Sequence, residues 1–517
     1  MEDTRRILIA FLLVFVMLFV WTTLTGKKRA AQQAQAPAQQ PVAVQPMPAA
    51  QPAAQPAVLP PVPVQPERFD TLENRRLRIV FSTFGGTITS VWLKDYQVEL
   101  VPAGSHVYGL GLPSGRDYLD LSDREMSIRR SADTLEYSTT LGRADSQLLI
   151  TRRYRLGEDY RLLAEVNLAG ANSGYLMLFR NGMALTEPNK NEDLTHVNLL
   201  LSDQKIRRLG PKQVKNEINL GGRYVWAGMK SMYFLTALIP EHAVLDTVVG
   251  ATLVDRRLGW IAGVKGARTA DRYQVYFGPL EYNLLRHSGL QEAFDFGNFL
   301  GISLKWIGLP ILKFLQLVFG LLRNFGLAII IFAIVMKAIF FPLSRIQNKQ
   351  MKSMQLLQPK LSELKKRYKT DQEGLNRETM QLYKLYKVNP LAGCLPLLIQ
   401  MPIFFAMYQV LRVSVDQRHA PFIFWIRDLS LKDPYFVLPI LMGVFSIAQS
   451  LLTSVGQQNK LLMFMMPVFI TIIFLNFPSG LQLYWLVFNI LSIIESMIVQ
   501  GGTKWQTIFR RAQTTTP

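Results

Sequence analysis

The sequence predicts a polytopic α-helical membrane protein of six spans that carries a large antiparallel β-sandwich domain on one side of the bilayer. Three observations predict it. Apolar runs of bilayer-crossing length occur near residue 10 and repeatedly after residue 299. Between them, residues 68–290 alternate apolar and polar side chains in short runs separated by Gly, Asn and Asp. The charge is also uneven: residues 1–29 hold 5 basic and 2 acidic groups, 67–300 hold 29 and 27, and 301–517 hold 23 and 8. Basic charge on the most apolar part of the chain fits either a nucleic-acid binder or a membrane protein with basic cytoplasmic loops. The lengths of the apolar runs decide for the membrane.

Composition removes several functions. Of 517 residues 49% are apolar and 18% charged, against about 25% charged in an ordinary soluble domain. The single cysteine, Cys394, allows neither an intramolecular disulfide nor a cysteine-built metal cluster. His106, His196, His242, His287 and His419 lack ligand spacing. The lone cysteine and scattered histidines give no reason to expect a metal, and no phosphate-binding loop is evident to hold a nucleotide.

The first element, residues 1–25, holds the apolar run Ile7–Trp21 behind Arg5 and Arg6. It reads as a signal peptide or an uncleaved anchor; Thr22–Arg29 offers no small-x-small cleavage site, which favours the anchor. Residues 26–67 form a tether, of which 30–66 contain 10 prolines and no charge. That composition builds no packed core. Residues 68–295 form the β domain, with strands expected at Leu77–Phe81, Thr87–Leu93, Arg152–Leu156 and Arg161–Val166, and a turn at Gly85-Gly86.

The apolar stretch from Phe299 to Leu343 is twice too long for one crossing and must divide. Lys305, Leu309, Lys313, Gln316, Gly320 and Arg323 share one helical face, so 301–322 reads as an amphipathic helix in the interface, bent or broken at Pro310. The core, 323–500, then holds five spans: 325–342, 391–413, 435–455, 461–477 and 481–499. Pro478-Ser479-Gly480 is the turn between the last two. The loop 343–390 carries 11 basic and 4 acidic groups, and the tail 501–517 carries Lys504, Arg510 and Arg511. The positive-inside rule makes both cytoplasmic, which puts both termini inside and the β domain outside. Lys27, Lys28 and Arg29, just beyond the anchor, run against this order; the larger loop excess outweighs them. Met351, Met354, Leu357, Leu361, Leu364 and Tyr368, then Met380, Leu382, Leu385 and Tyr386, mark the loop as a helical hairpin. A merely solvated positive loop explains its charge but not this stripe.

Two charges stand out inside the spans. Lys337 lies in the run Ile329–Pro342, about five residues from its cytoplasmic end, and Glu495 sits at comparable depth in the last span. A lysine at the bilayer centre costs about 2.5–3.5 kcal/mol. At this depth Lys337 snorkels, faces a wet cavity, or meets a partner, and a Lys337–Glu495 pair is geometrically feasible. Gln400, Gln409, Gln449, Asn476, Gln482 and Asn489 add polar groups; singly each reads as helix-packing glue, together as a hydrophilic groove.

A further set of motifs is Phe341-Pro342-Leu343, Gln358-Pro359-Lys360, the run Val388–Phe404, Pro421-Phe422, Trp425–Leu429, Asp433-Pro434-Tyr435, Leu438–Gly443 and Phe477–Leu481. In these residues the chain resembles the YidC family of membrane protein insertases, relatives of the oxidase-assembly insertases of mitochondria. The resemblance covers the whole chain and implies the Gram-negative form, whose periplasmic domain is a β-supersandwich similar to sugar-mutarotase folds. It implies insertion of nascent inner-membrane proteins, alone or beside the Sec translocon, through a positively charged groove open to cytoplasm and lipid. In the family that charge is usually Arg; the matching Lys337 keeps the charge but not the planar fork. The polar position one turn earlier is Ala333 here. Tyr484 and Trp485 match a substrate-contacting position, and Gln400 and Glu495 join them as candidates. Lys349, Lys352, Lys360, Lys365, Lys366, Arg367 and Lys369 are the docking candidates for the ribosome, the signal-recognition machinery and anionic lipids. In this scheme Lys337 offsets the desolvation of a carboxylate in a crossing tail. Two other classes compete: a membrane-anchored sugar-modifying enzyme, for which no paired acid and base is evident, and an ion or solute transporter, for which no inverted repeat is evident.

Overall fold

The computed structural model describes residues 66–500, apart from 115–116, 143–146, 170–173, 204, 215–217, 243, 253–257, 266–269, 300, 369–370, 387, 389–394 and 454–459. The expected anchor, most of the tether, the basic tail, Lys369, Cys394 and much of the run Val388–Phe404 lie outside the described residues. The chain divides into a β unit ending at Phe294 and a helical unit starting at Asp295.

In the β unit, a nine-stranded antiparallel sheet runs edge to edge through Ile206–Leu209, Asn198–Ser202, Trp226–Lys230, Phe234–Pro240, Ala270–Pro279, Arg161–Ala169, Leu148–Leu156, Thr134–Leu141 and Ser127–Ser131. A six-stranded sheet orders Ile218–Tyr224, Val244–Thr252, Leu258–Lys265, Tyr175–Phe179, Gly109–Ser114 and Asp117–Asp120. A four-stranded sheet, Phe69–Glu73 to Val98–Glu99, holds the first two expected strands. Among the described residues the unit also holds two short α-helices, α1 (Lys190–His196) and α2 (Tyr282–His287), and a 3-10 turn at Gln291–Ala293.

The two-residue period decides what the sheets bury. In Leu148–Leu156 it turns Ile150, Arg152 and Tyr154 inward. An arginine therefore enters the core fully buried. It is held there by donating to the carbonyls of Gly85, at 2.6 Å, and Tyr108, with its guanidinium 5.1 Å from the Tyr108 ring centroid and 5.5 Å from that of Tyr154. Gly85 is required twice: its φ of 65° is left-handed, and a Cβ would come within 2.6 Å of the Leu121 carbonyl oxygen.

The helical unit contains α3 (Lys305–Leu322), α4 (Phe325–Arg367), α5 (Gln372–Leu385), α6 (Leu395–Val413), α7 (Val437–Thr453), α8 (Lys460–Phe474) and α9 (Ser479–Gln500). The long apolar stretch divides where expected, between 322 and 325, and Pro310 does not break the first helix. Helix α3 runs through that proline, which lies in its second turn and removes a single backbone hydrogen bond. The break falls at Arg323, whose φ of 54° ends α3 in a left-handed cap, and at Asn324, whose Oδ1 accepts the Leu327 amide to start α4. Gln316, placed on the polar face, is half-buried and donates to Asp416 at 2.7 Å.

Helix α4 also departs from expectation. It does not stop at Pro342 but continues through Pro342 and Pro359 for 43 residues, about 65 Å. The first arm of the hairpin is thus the extension of a span. Its second arm, α5, starts at Asp371, whose Oδ1 accepts the Gly374 amide at 2.8 Å. Leu357, Leu361 and Val388 form the hairpin's core with Met354, Leu382 and Tyr383; Met380, Leu385 and Tyr386, counted in the stripe, are exposed.

Among the described residues, three helices are long and apolar enough to cross a membrane by length and composition: 305–322, 325–354 and 479–498. Val437–Leu452 and Phe464–Phe474 are shorter apolar helices. The expected interfacial helix is thus itself of crossing length. Helix α9 packs on α4 and α7, α7 on α8, and α3 on α4 and α6.

Candidate functional site: a polar seam between two apolar helices

Helix α9 is fixed at its start by a loop. The Ser479 and Gly480 amides donate to the carbonyls of Leu431 and Leu429, at 2.7 and 3.0 Å, and Ser479 Oγ donates to Leu431 O at 2.6 Å. That loop is itself organised by fully buried Asp433, which accepts from the Leu438 and Tyr435 amides and from Trp425 Nε1, at 2.7 to 3.0 Å. Gly326 of α4 lies against the Phe422 ring, where a Cβ would overlap it, so α4 and the loop approach closely. Both helices are thereby placed before any polar pair is considered.

Leu481, Tyr484, Phe488, Ser492 and Glu495 recur at three- and four-residue spacing, so they form one face of α9. Tyr484 is fully buried, 5.9 Å from the Phe332 ring of α4, and its hydroxyl accepts from Gln400 of α6 at 2.5 Å. Two to three turns further, Lys337 Nζ lies 2.7 Å from Glu495 Oε2 and 2.8 Å from Ser492 Oγ, and 4.7 Å from the Phe488 ring centroid. The lysine side chain is 13% exposed and the glutamate 5%, which excludes a lysine that simply snorkels to water. Glu495 Oε1 is buried and has no hydrogen-bond partner among the described residues.

Nearer the start of α9, Trp485 joins Phe404, Phe474 and Phe477 in a ring cluster, with centroids 5.1 to 6.2 Å apart. Gln482 Nε2 donates to the carbonyls of Phe474, the last residue of α8, and Phe477, in the turn after it, and Asn489 Nδ2 to Ser446 Oγ of α7 at 2.7 Å.

The helical region and the sandwich-rich unit are the coarse architecture, and comparison with known proteins places them together. A family described as 60Kd inner membrane protein matches residues 315–506, and the YidC periplasmic domain matches residues 71–314. The membrane protein insertase YidC of Citrifermentans bemidjiense is 34% identical over 463 residues, covering 83% of this chain and 84% of that protein. The chain belongs to the YidC family of membrane protein insertases. YidC of Syntrophus aciditrophicus is likewise 34% identical, over 470 residues. A crystal structure of an active YidC insertase with its first transmembrane domain resolved covers 83% of this chain and 92% of that one, at 20% identity and a TM-score of 0.39. YidC relatives are insertases rather than enzymes, and are inner-membrane proteins with a periplasmic domain.

The structure brings Lys337 together with Glu495, and Gln400 with Tyr484. Tyr484 and Gln400, expected to contact substrate, are enclosed between helices and satisfy each other; Trp485 is half-buried in the ring cluster. Lys349, Lys352, Lys365, Lys366 and Arg367 are exposed on the free part of α4. Exposed Lys360 is tied to Tyr386, bonding its hydroxyl and lying 4.5 Å from its ring centroid. Two residues of the seam went unnoticed in the sequence: Ser492 and Phe488. The signal was there, since both lie on the α9 face defined by Tyr484 and Glu495.

Proposed function

We propose that this YidC-family chain inserts nascent inner-membrane proteins along the seam between α4 and α9, with α6 contributing its polar lining. The observation that carries the reading is Lys337, an ammonium held in an apolar helix and turned toward α9. A lysine costs about 2.5–3.5 kcal/mol at the bilayer centre, and one nearer the cytoplasmic end still has a cost when it is turned away from water. Packing alone does not need it. A polar seam shortens the hydrocarbon path of a translocated tail, while the apolar part of the substrate slides along the exposed apolar flanks of the helices into lipid. The ring cluster of Phe404, Phe474, Phe477 and Trp485 closes the path at the end of α9 away from the pair.

In this reading the seam belongs to a hydrophilic groove in a six-span arrangement made of the anchor, α4, α6, α7, α8 and α9. Residues 68–295 lie in the periplasm. Both termini are cytoplasmic, as the net charge of +7 in 343–390 argues. Helix α3 lies in the interface. The basic α4–α5 hairpin meets the ribosome, the signal-recognition machinery and anionic lipids, and the chain works alone or beside the Sec translocon.

The test is depletion and rescue with Lys337→Ala and Lys337→Arg, scoring insertion of a single-span protein with an acidic or a neutral external tail. Failure of Ala on acidic tails, with Arg active, supports a charge-dependent path. Wild-type insertion of both tails by Ala at equal protein level overturns the part given to Lys337.

A further inference from the structure

Resting on the reading of the α4–α9 seam as the substrate path, we propose that Glu495 is the resident carboxylate of the Lys337 site, and that an acidic residue of a passing chain enters by exchange with it. The passing class is therefore a carboxylate-bearing segment that displaces a carboxylate, not one captured by a free cation.

The geometry carries this. An ammonium has three donors. One points to Glu495 Oε2 and one to Ser492 Oγ, and the Phe488 ring lies against the cation. All three partners come from one face of α9, so α9 presents a complete counter-site for Lys337. The pair is neutral, and a neutral pair attracts a distant carboxylate far less than a bare ammonium does. A free-cation mechanism thus has no free cation to use in this conformation.

The resting pair is also incompletely satisfied. Glu495 Oε1 is buried without a partner among the described residues, a costly state for a carboxylate oxygen. Lysine is a point charge on a flexible stem and binds a carboxylate through single donors. One carboxylate can therefore replace another without rebuilding a bidentate fork. During exchange the entering carboxylate takes the Nζ donor, while Ser492 and Phe488 keep their contacts with the ammonium. Glu495, released, accepts a donor such as a backbone amide of the passing chain through the oxygen that has none at rest. No covalent bond changes.

The experiment uses the full chain in proteoliposomes. A ribosome-bound single-span substrate carries one Asp or one Asn in its external tail, with a photo-crosslinker beside it. The readout is the ratio of adduct yields, Asp over Asn, for adducts mapped to α4 and α9. The ratio is expected near one in the wild type, because a carboxylate replaces an equivalent one. Glu495→Gln removes the competitor and should raise it about tenfold, the equivalent of about 1.4 kcal/mol. Glu495→Asp, which keeps the charge and withdraws it by one methylene, should raise it by less, and covers the case in which Glu495→Gln does not fold. Lys337→Met should lower it in either background. A wild-type ratio already near ten that neither Glu495 variant moves overturns the exchange. Adducts that never map to α4 or α9 overturn the path itself, so the two failures are distinguishable.

Discussion

Removing Lys337 alone should harm the fold more than removing Lys337 and Glu495 together. At 2.7 Å and an effective dielectric constant of about 20, the pair's attraction is about 6 kcal/mol before desolvation. Most of that offsets the cost of taking both charges from water. The pair is therefore worth little against apolar residues of similar volume, yet its rupture leaves a bare charge between α4 and α9. Breaking a buried pair typically costs about 3–5 kcal/mol, whereas replacing both members is often neutral or stabilising. Lys337→Met should accordingly lower the detergent-solubilised protein's melting temperature, Glu495→Leu should do the same, and the double variant should return close to the wild type. The coupling read from the cycle should be about 3 kcal/mol, well above the 0–1 kcal/mol of an exposed pair. Thermal unfolding followed by tryptophan emission, with loss of monodisperse protein as a second probe, measures it. Additive losses in the double variant would refute the argument, because they would mean that neither charge feels the other.

Three further outcomes follow from other contacts. Asp433→Ala removes the acceptor of the Leu438 and Tyr435 amides and of Trp425 Nε1. Each buried orphan donor costs about 1–3 kcal/mol; a marked fall in melting temperature is expected, with the α9 start, held by the same loop, becoming accessible to a cysteine probe at Ser479. Arg152→Met leaves the Gly85 and Tyr108 carbonyls without their donor in the β core, and limited trypsin digestion of the full chain should show faster cleavage within residues 66–294. Asp416, in the turn after α6, has its carboxyl pushed up by burial, opposed by hydrogen bonds from Gln316 and Ser414. Ionising it costs stability in the folded state, so its contribution is fully present below the unfolded pKa of about 3.9 and lost as pH rises through the higher folded value. Melting curves should therefore flatten with pH above 4 in Asp416→Asn.

What was legible in the sequence was whatever a single residue type or a period states alone. The antiparallel β unit follows from strands such as Leu77–Ser82 and Arg161–Ala169, whose alternation survives in the structure. The feasible Lys337–Glu495 pair followed from equal depth in two runs, which needs no side-chain direction. What could not be read was set by neighbours. Pro310 and Pro342 are helix breakers by local chemistry, yet α3 and α4 pass through both, since one lost hydrogen bond each is small beside the rest of an apolar helix in a packed bundle. In the sequence Arg152 reads only as part of a strand, with no side assigned; two carbonyls, from segments more than forty residues away, make it a core residue. The same distinction governs the site. Lys337 advertised a charge, and charge alone suggested attraction of acidic chains. Only the opposing face of α9 shows that the charge is already answered, by a glutamate with one oxygen unanswered among the described residues. A polar seam that is neutral at rest admits a carboxylate without holding it. That is the property a conduit needs and a binding site does not, since a tail captured at full ionic strength in a dry seam would leave it slowly.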